Sequence, residues 1–523
     1  MASESGTTLR DGLSTVTRGT LFLLVSTLFL IGLTFVWRVL LIRSLSPADW
    51  NAFSFGLALA GVLSAFGTLG LPTAVARSIP YASTEAERRT IVRGSLLIGG
   101  VAALATSVVL WAVADPIGQA LGIPAIGYGL EFFAIAVGSS ILSTIIASVF
   151  QGFEDVFPNA FFIQVITPAL FVVFLTMAVG VPPFGISYPE ALIAYSAANG
   201  LTLVLLVVYA LRRLPRRLPR GPQAPEALGR LLRFATPLFV VTIMSSVIGS
   251  GDTLVLGVFH SSEVGTYTAS LTLARLLQIG IGALGYIFLP VATRFLREDQ
   301  GGSIPVTYAT VTKWMILFSL PLFFLFFFLP GASLTLVYSK YSSIVLPLQI
   351  AVLGAFITTV LGPSNTTQVA YGQTRLLMIN AVIAGVVDIA LSLALAPSYG
   401  YAGAAVAWGG ANVTYTGLSL GQIAHRDGVH PFRRDFVLPL LVTAIPVGAA
   451  LALLHPVLSL LMLPVLGIAI ALWFLVVLLL TRSIDEGDRL LLEAVERLLG
   501  RRLGLVRRIG RYGLRRNGGR GPG

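Results

Sequence analysis

A chain of 523 residues that is 55% hydrophobic and 11% charged, with a mean hydropathy of +0.87, cannot clothe a water-soluble fold of that size, so its composition places it in a membrane. Its net charge is +12, from 35 lysines and arginines against 23 acids. There is no cysteine, the four histidines lack metal-ligand spacing, and neither lysine sits in a Gly-Lys-Ser/Thr phosphate loop. Disulfides, thiolate or histidine metal sites and loop-type ATP binding are thereby excluded, and no cofactor is expected.

Residues 1–20 are polar, with Glu4 and Asp11, and no small-residue cleavage pattern follows them, so the first apolar run reads as a retained helix behind a cytoplasmic N-terminus. Runs long enough to cross a hydrocarbon layer ~30 Å thick then follow at 21–42, 52–72, 94–114, 127–149, 160–181, 190–211, 236–259, 266–293, 314–336, 346–369, 376–396, 401–421, 436–454 and 458–480. The predicted fold class is an all-α integral membrane protein with fourteen transmembrane helices. Between the sixth and seventh runs, "RRLPRRLPRGPQAPEALGRLLR" (212–233) reads as a basic, proline-rich linker. In the tail, 481–523, Leu491, Leu492, Val495, Leu498 and Leu499 recur at helical intervals among arginines, the pattern of a basic amphipathic helix on the inner membrane surface.

Laid out in order with the N-terminus inside, the segments leave 31 of the 35 basic residues on the cytoplasmic side. Only Arg43 and Lys340 fall outside, and Arg38 and Arg275 fall within segments. The positive-inside rule therefore predicts that both termini are cytoplasmic. The basic loops face anionic lipid, which accounts for the charge without nucleic acid as a partner. "GLSLG" (Gly417–Gly421) matches the string of a catalytic nucleophile elbow, but it ends a membrane run where small residues serve close packing. The sequons at Asn365 and Asn412 lie inside predicted helices, out of reach of glycosylation.

The chain also repeats itself. Residues 38–60, "RVLLIRSLSPADWNAFSFGLALA", align with 252–274, "DTLVLGVFHSSEVGTYTASLTLA", at an offset of 214, matching Asp49 with Glu263 and Phe53 with Tyr267. "ALIAYSAAN" (191–199) aligns with "AAVAWGGAN" (404–412), and Gly152 of "QGFEDV" with Gly372 of "YGQTRL". Two pseudo-symmetric six-helix lobes, 21–211 and 234–421, are thus expected, with a pair of C-terminal helices at 436–480. Six is even, so the copies run in the same direction, about an axis along the membrane normal, and a substrate path is expected at the lobe interface.

Twelve helices in two lobes plus two, with "SSVIGSGDTLVLGVFHSSEVGTYTASLTLARLL" opening the second lobe and "YGQTRLLMINAVIAGVVDIALSLALAPSYGYAGAAVAW" (Tyr371–Trp408) in it, resemble the polysaccharide and oligosaccharide flippases of the multidrug/oligosaccharidyl-lipid/polysaccharide (MOP) exporter superfamily. The resemblance implies a V-shaped plasma-membrane transporter, not an enzyme, that carries lipid-linked glycan to the outer leaflet by alternating access. Its expected partners are the lipid-linked cargo, membrane lipids and glycan-assembly enzymes.

Such cargo carries phosphate at its sugar–lipid junction, and arginine suits phosphate because its planar fork donates two hydrogen bonds and stays charged. Arg275, about ten residues into the eighth run, is the first candidate contact; a salt bridge to Asp252 or Asp388 is the alternative. Arg77 at the inner end of the second run could guide the head group or simply follow the positive-inside rule, and Arg38 is a third candidate. Asp252 and Asp388 lie inside apolar runs, where a carboxylate is costly unless it serves a purpose. Asp388 suits a proton or sodium relay or a plain ion pair. Asp252 aligns with Arg38 across the repeat and could form a gate with it, a static pair, or a coupling-ion site. The runner-up function is a cation-coupled multidrug (MATE-like) exporter, which looks for acids in its first helices where this chain has only Arg38. A membrane glycosyltransferase would need outer loops richer in carboxylates.

Overall fold

The computed structural model describes residues 2–179, 185–217, 224–297, 304–338, 345–454, 462–481, 483 and 488, and no strand occurs among them. The helices are α1 (Ala2–Ser44), α2 (Pro47–Gly67), α3 (Leu71–Tyr81), α4 (Glu85–Ala120), α5 (Pro124–Gly152), α6 (Thr167–Val179), α7 (Tyr188–Arg217), α8 (Glu226–Phe259), α9 (Val264–Ala274) and α10 (Ile279–Arg297). They continue as α11 (Ile304–Phe328), α12 (Pro330–Tyr338), α13 (Leu346–Val360), α14 (Ser364–Ala370), α15 (Thr374–Asp427), α16 (Arg434–Leu454) and α17 (Leu463–Leu480). Among the described residues, twelve stretches are long and apolar enough to cross a membrane.

Local signals start several of these helices. Pro47 takes the first turn of α2 after Ser46, whose Oγ accepts the Asp49 amide at 3.2 Å. Thr84 and Glu87 form a reciprocal cap on α4: Thr84 Oγ1 accepts the Glu87 amide at 3.2 Å, and Glu87 Oε2 accepts the Ser83 amide at 2.9 Å.

Helix α15, 54 residues long, would measure ~80 Å if straight, far more than one crossing needs. It folds at Gly400, whose φ of 52° and ψ of −131° are non-helical. A side chain on Gly403 would lie 2.6 Å from Leu395 O, so the chain doubles back tightly. The arms then run antiparallel: Gln373 Nε2 donates to Asp427 Oδ2 at 2.9 Å, and Asn380 Nδ2 to Ser419 Oγ at 3.0 Å. The break between the predicted runs 376–396 and 401–421 thus falls at Gly400, and α15 supplies two of the fourteen predicted crossings.

The predicted run 266–293 is not one helix. A 3-10 turn at Arg275–Gln278 separates α9 from α10. The linker 212–233 is shorter than expected, because α7 continues to Arg217 and α8 begins at Glu226. The amphipathic tail lies outside the described residues except for positions 481, 483 and 488. Gly417–Gly421 is helical throughout, within α15, without the strand an elbow needs.

Two compact units divide the chain. One comprises Phe22–Thr268 with Asp388–Ala407, the tip of the α15 hairpin. Here α5 packs against both α4 and α7, and α2 against α8. Rings from five helices, Trp37, Phe53, Phe133, Phe171 and Tyr195, interlock with neighbouring centroids 5.2–6.5 Å apart. The repeat meets itself in this unit: Asn51 Oδ1 accepts the Gly265 amide at 2.5 Å, and Thr268 Oγ1 donates to Ser54 Oγ at 3.0 Å, each pair separated by the offset of 214. Equivalent residues in contact mark a local two-fold axis between α2 and α9.

The other unit comprises Met1–Leu21, Ala269–Val387 and Trp408–Gly523, with α11 packed against α10, α13, α16 and α17. Gln368, Asn380 and Ser419 are 0% exposed there and join Gln422 in a hydrogen-bonded cluster; Gln422 Nε2 donates to Asn380 Oδ1 at 2.8 Å. Lys313, 3% exposed, donates at 2.6 Å to both Ser483 O and Asp488 Oδ2, holding the segment after α17 against α11.

Candidate functional site

The sequence "VIGSGDT" places Gly251 and Asp252 seven to eight residues before the end of α8, ~11 Å from it along the axis. Asp252 is 0% exposed. Its Oδ1 accepts the Thr253 amide at 2.6 Å, and its Oδ2 accepts the hydroxyl of Tyr267, a fully buried side chain of α9 that also lies 3.3 Å from Ala404 O.

Against this face of α8 comes the first arm of α15, carrying Asp388, also 0% exposed. A methyl group on Gly251 would sit 3.0 Å from Asp388 Oδ2, so glycine is what lets the carboxyl press on the α8 backbone beside Asp252. Neither Asp388 oxygen accepts a hydrogen bond among the described residues. Two carboxyl groups so placed, away from water, are costly to ionise together unless a proton or a positive charge lies beside them. Positive charge is therefore favoured at this place.

The end of the same unit at which α8 stops is tied to the hairpin tip. His260 Nε2 lies 3.2 Å from Pro397 O, and Glu263 Oε2 accepts the Tyr401 amide at 2.7 Å, so the bend of α15 is pinned to the α8–α9 connection. That pinning sets the position of Asp388 against α8.

The three predicted arginines lie in different settings. Arg38, half-buried, stacks on its neighbour Trp37 with the guanidinium carbon 5.0 Å from the ring centroid, at the margin of the aromatic cluster. Arg77 is exposed on α3 and lies over Phe234 of α8 at 4.3 Å and Tyr81 at 5.7 Å. Arg275, half-buried in the other unit, opens the 3-10 turn after α9. Asp252 and Asp388, singled out separately in the sequence, are brought together.

Sequence reasoning passed over Gln164, on a π-helical stretch Asn159–Ile166, whose Oε1 accepts Ser26 Oγ at 2.8 Å and Thr27 Oγ1 at 3.0 Å. Its one signal was a glutamine inside an apolar run. It also passed over Tyr267, whose alignment with Phe53 shows where a hydroxyl has been added to a repeated ring position.

A profile of the polysaccharide biosynthesis protein family matches residues 16–286, just over half of the chain. The chain belongs to that family. No curated protein matches it in sequence. Among solved structures, the lipid II flippase MurJ in an inward closed conformation is similar at 15% identity and a TM-score of 0.67, covering 86% of this chain and 97% of the flippase. An inward-facing multidrug resistance MATE family transporter of the MOP superfamily is similar at 13% identity and a TM-score of 0.61, covering 79% of this chain and 98% of that one. A MOP superfamily transporter from Pyrococcus furiosus, described as having a binding pocket of reverse polarity, follows at 13% identity and a TM-score of 0.51, covering 79% and 95%. The family member described here thus has the MOP transporter fold.

Proposed function

We propose that this family member is a flippase that carries lipid-linked oligosaccharide or polysaccharide precursor from the cytoplasmic to the outer leaflet of the plasma membrane by alternating access, without making or breaking a covalent bond. The observation that carries the reading is membership of the polysaccharide biosynthesis family through residues 16–286. The flippase fold also accounts for more of the chain, 86%, than the multidrug transporter fold does, 79%. Both termini are assigned to the cytoplasm from the distribution of arginines, and glycan-assembly enzymes are the natural suppliers of cargo.

In this proposal Arg275, Arg38 and Arg77 meet the cargo phosphate in turn, and the Asp252–Asp388 pair takes up the sodium ion or proton whose gradient resets the carrier. Arg38 and Asp252 occupy equivalent repeat positions with opposite charge, and their pairing closes the outer end of the path. Delivery of radiolabelled lipid-linked sugar to the outer leaflet tests the central claim. Arg275→Ala is expected to lower it about a hundredfold at normal membrane abundance. Full delivery by a well-expressed variant removes Arg275 from the mechanism, and export of cationic drugs with no effect on glycan delivery would favour the multidrug reading.

A further inference from the structure

At the end of the first unit where α4 begins and α5 and α7 end, a cavity of about 390 Å³ opens along the α4–α7 groove, with α5 as its floor. Its walls are apolar: Leu96 from α4, Phe150 from α5, and Val207 and Leu211 from α7. Two charges line it, Arg89 and Arg93, one helical turn apart on α4. Leu96 lies eleven residues into α4 and Val207 ten residues from the end of α7, so the cavity reaches ~15 Å inward from the helix ends, the depth from head groups into the first half of a leaflet.

Arg89 is 8% exposed, an unusual degree of burial for a guanidinium. Its Nε donates to Glu85 O at 3.0 Å, and among the described residues its terminal nitrogens have no hydrogen-bond partner. The carboxylates that could neutralise it are engaged elsewhere: Glu85 pairs with Arg88 at 3.0 Å, and Glu87 with Arg230. Arg93, on the same face, is exposed at the mouth. A buried cation with no salt bridge among the described residues, at the head of an apolar trough, is complementary to a molecule with an anionic head and a hydrocarbon body.

The surroundings favour bilayer lipid over cargo in transit. Helix α4 is the least covered of the crossing helices, and Leu97, Val101, Leu104 and Val108 are 54–70% exposed along it; Leu211 at the cavity's edge is 70% exposed. These are surfaces that hydrocarbon covers in a membrane. We propose that this cavity is a binding site for an anionic phospholipid of the surrounding leaflet, its phosphate on Arg89 and Arg93 and an acyl chain along Leu96, Val207 and Leu211. The orientation proposed above makes that the cytoplasmic leaflet. Nothing in the site depends on the identity of the transported glycan.

The test uses the full chain in nanodiscs containing a phosphatidylglycerol with a diazirine on one acyl chain, or the matching phosphatidylcholine at the same mole fraction, with cross-linked residues mapped by mass spectrometry. Phosphatidylglycerol is expected to label Leu96, Val207 and Leu211 at least about fivefold more than phosphatidylcholine. Arg89→Gln combined with Arg93→Gln should reduce labelling there to the phosphatidylcholine level while labelling at the lipid face of α17 is unchanged. Leu211→Trp, at an exposed position that does not threaten folding, should block the trough and reduce labelling even if the arginine variants fail to fold. Equal labelling by the two lipids, or labelling unaffected by Leu211→Trp, overturns the proposal. So does loss of labelling on adding excess inorganic phosphate, which would make the arginines a site for free anion.

Discussion

Asp388 presses on α8 beside Asp252, and Tyr267 donates its hydroxyl to Asp252. If the pair takes up the coupling cation, Asp252→Asn or Asp388→Asn should leave a folded protein whose transport no longer responds to a sodium or proton gradient. Tyr267→Phe, which removes one hydrogen bond to a charged group, should weaken apparent cation affinity about tenfold. Transport by proteoliposomes with imposed gradients checks both. If Asp252 instead serves mainly as the gate, gradient dependence survives Asp252→Asn, and the exchange Arg38→Asp with Asp252→Arg recovers part of the activity that each single change loses. The sequence exposed both acids because a carboxylate in an apolar run stands out. It did not pair them, because 136 residues separate them and the glycine that lets them approach is one of 54 in the chain.

Among the elements, the α15 hairpin has the sharpest requirement. Gly400 has a φ of 52°, and a side chain there would fall within 2.1 Å of Glu263 Oε2, the oxygen that accepts the Tyr401 amide. Gly400→Ala should therefore cost ~2 kcal/mol or more, from backbone strain and the displaced carboxylate, and lower the melting temperature in detergent. A melting temperature equal to the parent's would show that the tip is not held as described. The hairpin was legible in outline, since two apolar runs met at a proline; its turn was not, because Pro397 is tolerated inside the last turn and the left-handed residue lies beyond it. Likewise, apolar length located the eighth crossing, but a 3-10 turn changes hydrogen bonding without changing composition, so nothing at Arg275–Gln278 announced it. The Gln368–Asn380–Ser419–Gln422 cluster was equally silent, because isolated polar residues in three segments reveal nothing of their partners until the helices are packed.

For the whole molecule, the distribution of arginines makes a claim about direction. Ser262, beside the α8–α9 turn, and Ser398, at the hairpin tip, are both exposed, and the chain has no cysteine of its own. Cysteines placed there should react with an impermeant maleimide added to intact cells, whereas one at Ala224 should react only after lysis. Labelling at Ala224 in intact cells would reverse the orientation, and with it the direction proposed for the cargo. The contacts of Asn51 with Gly265 and Ser54 with Thr268 carry a further consequence for the chain as a duplicated object. On a two-fold axis a residue meets its own counterpart, so the axis filters chemistry. Two arginines would repel there, and two carboxylates likewise. A hydroxyl can both give and take a proton, so serine and threonine can face each other across it. Asparagine has found another solution: its counterpart is Gly265, where any side chain would come within 2.6 Å of both Asn51 Oδ1 and the Trp50 ring, and the partner's backbone amide fills the place of a second side chain. At this line the two halves of the chain cannot vary independently, since each substitution on one side alters what the other is permitted to be.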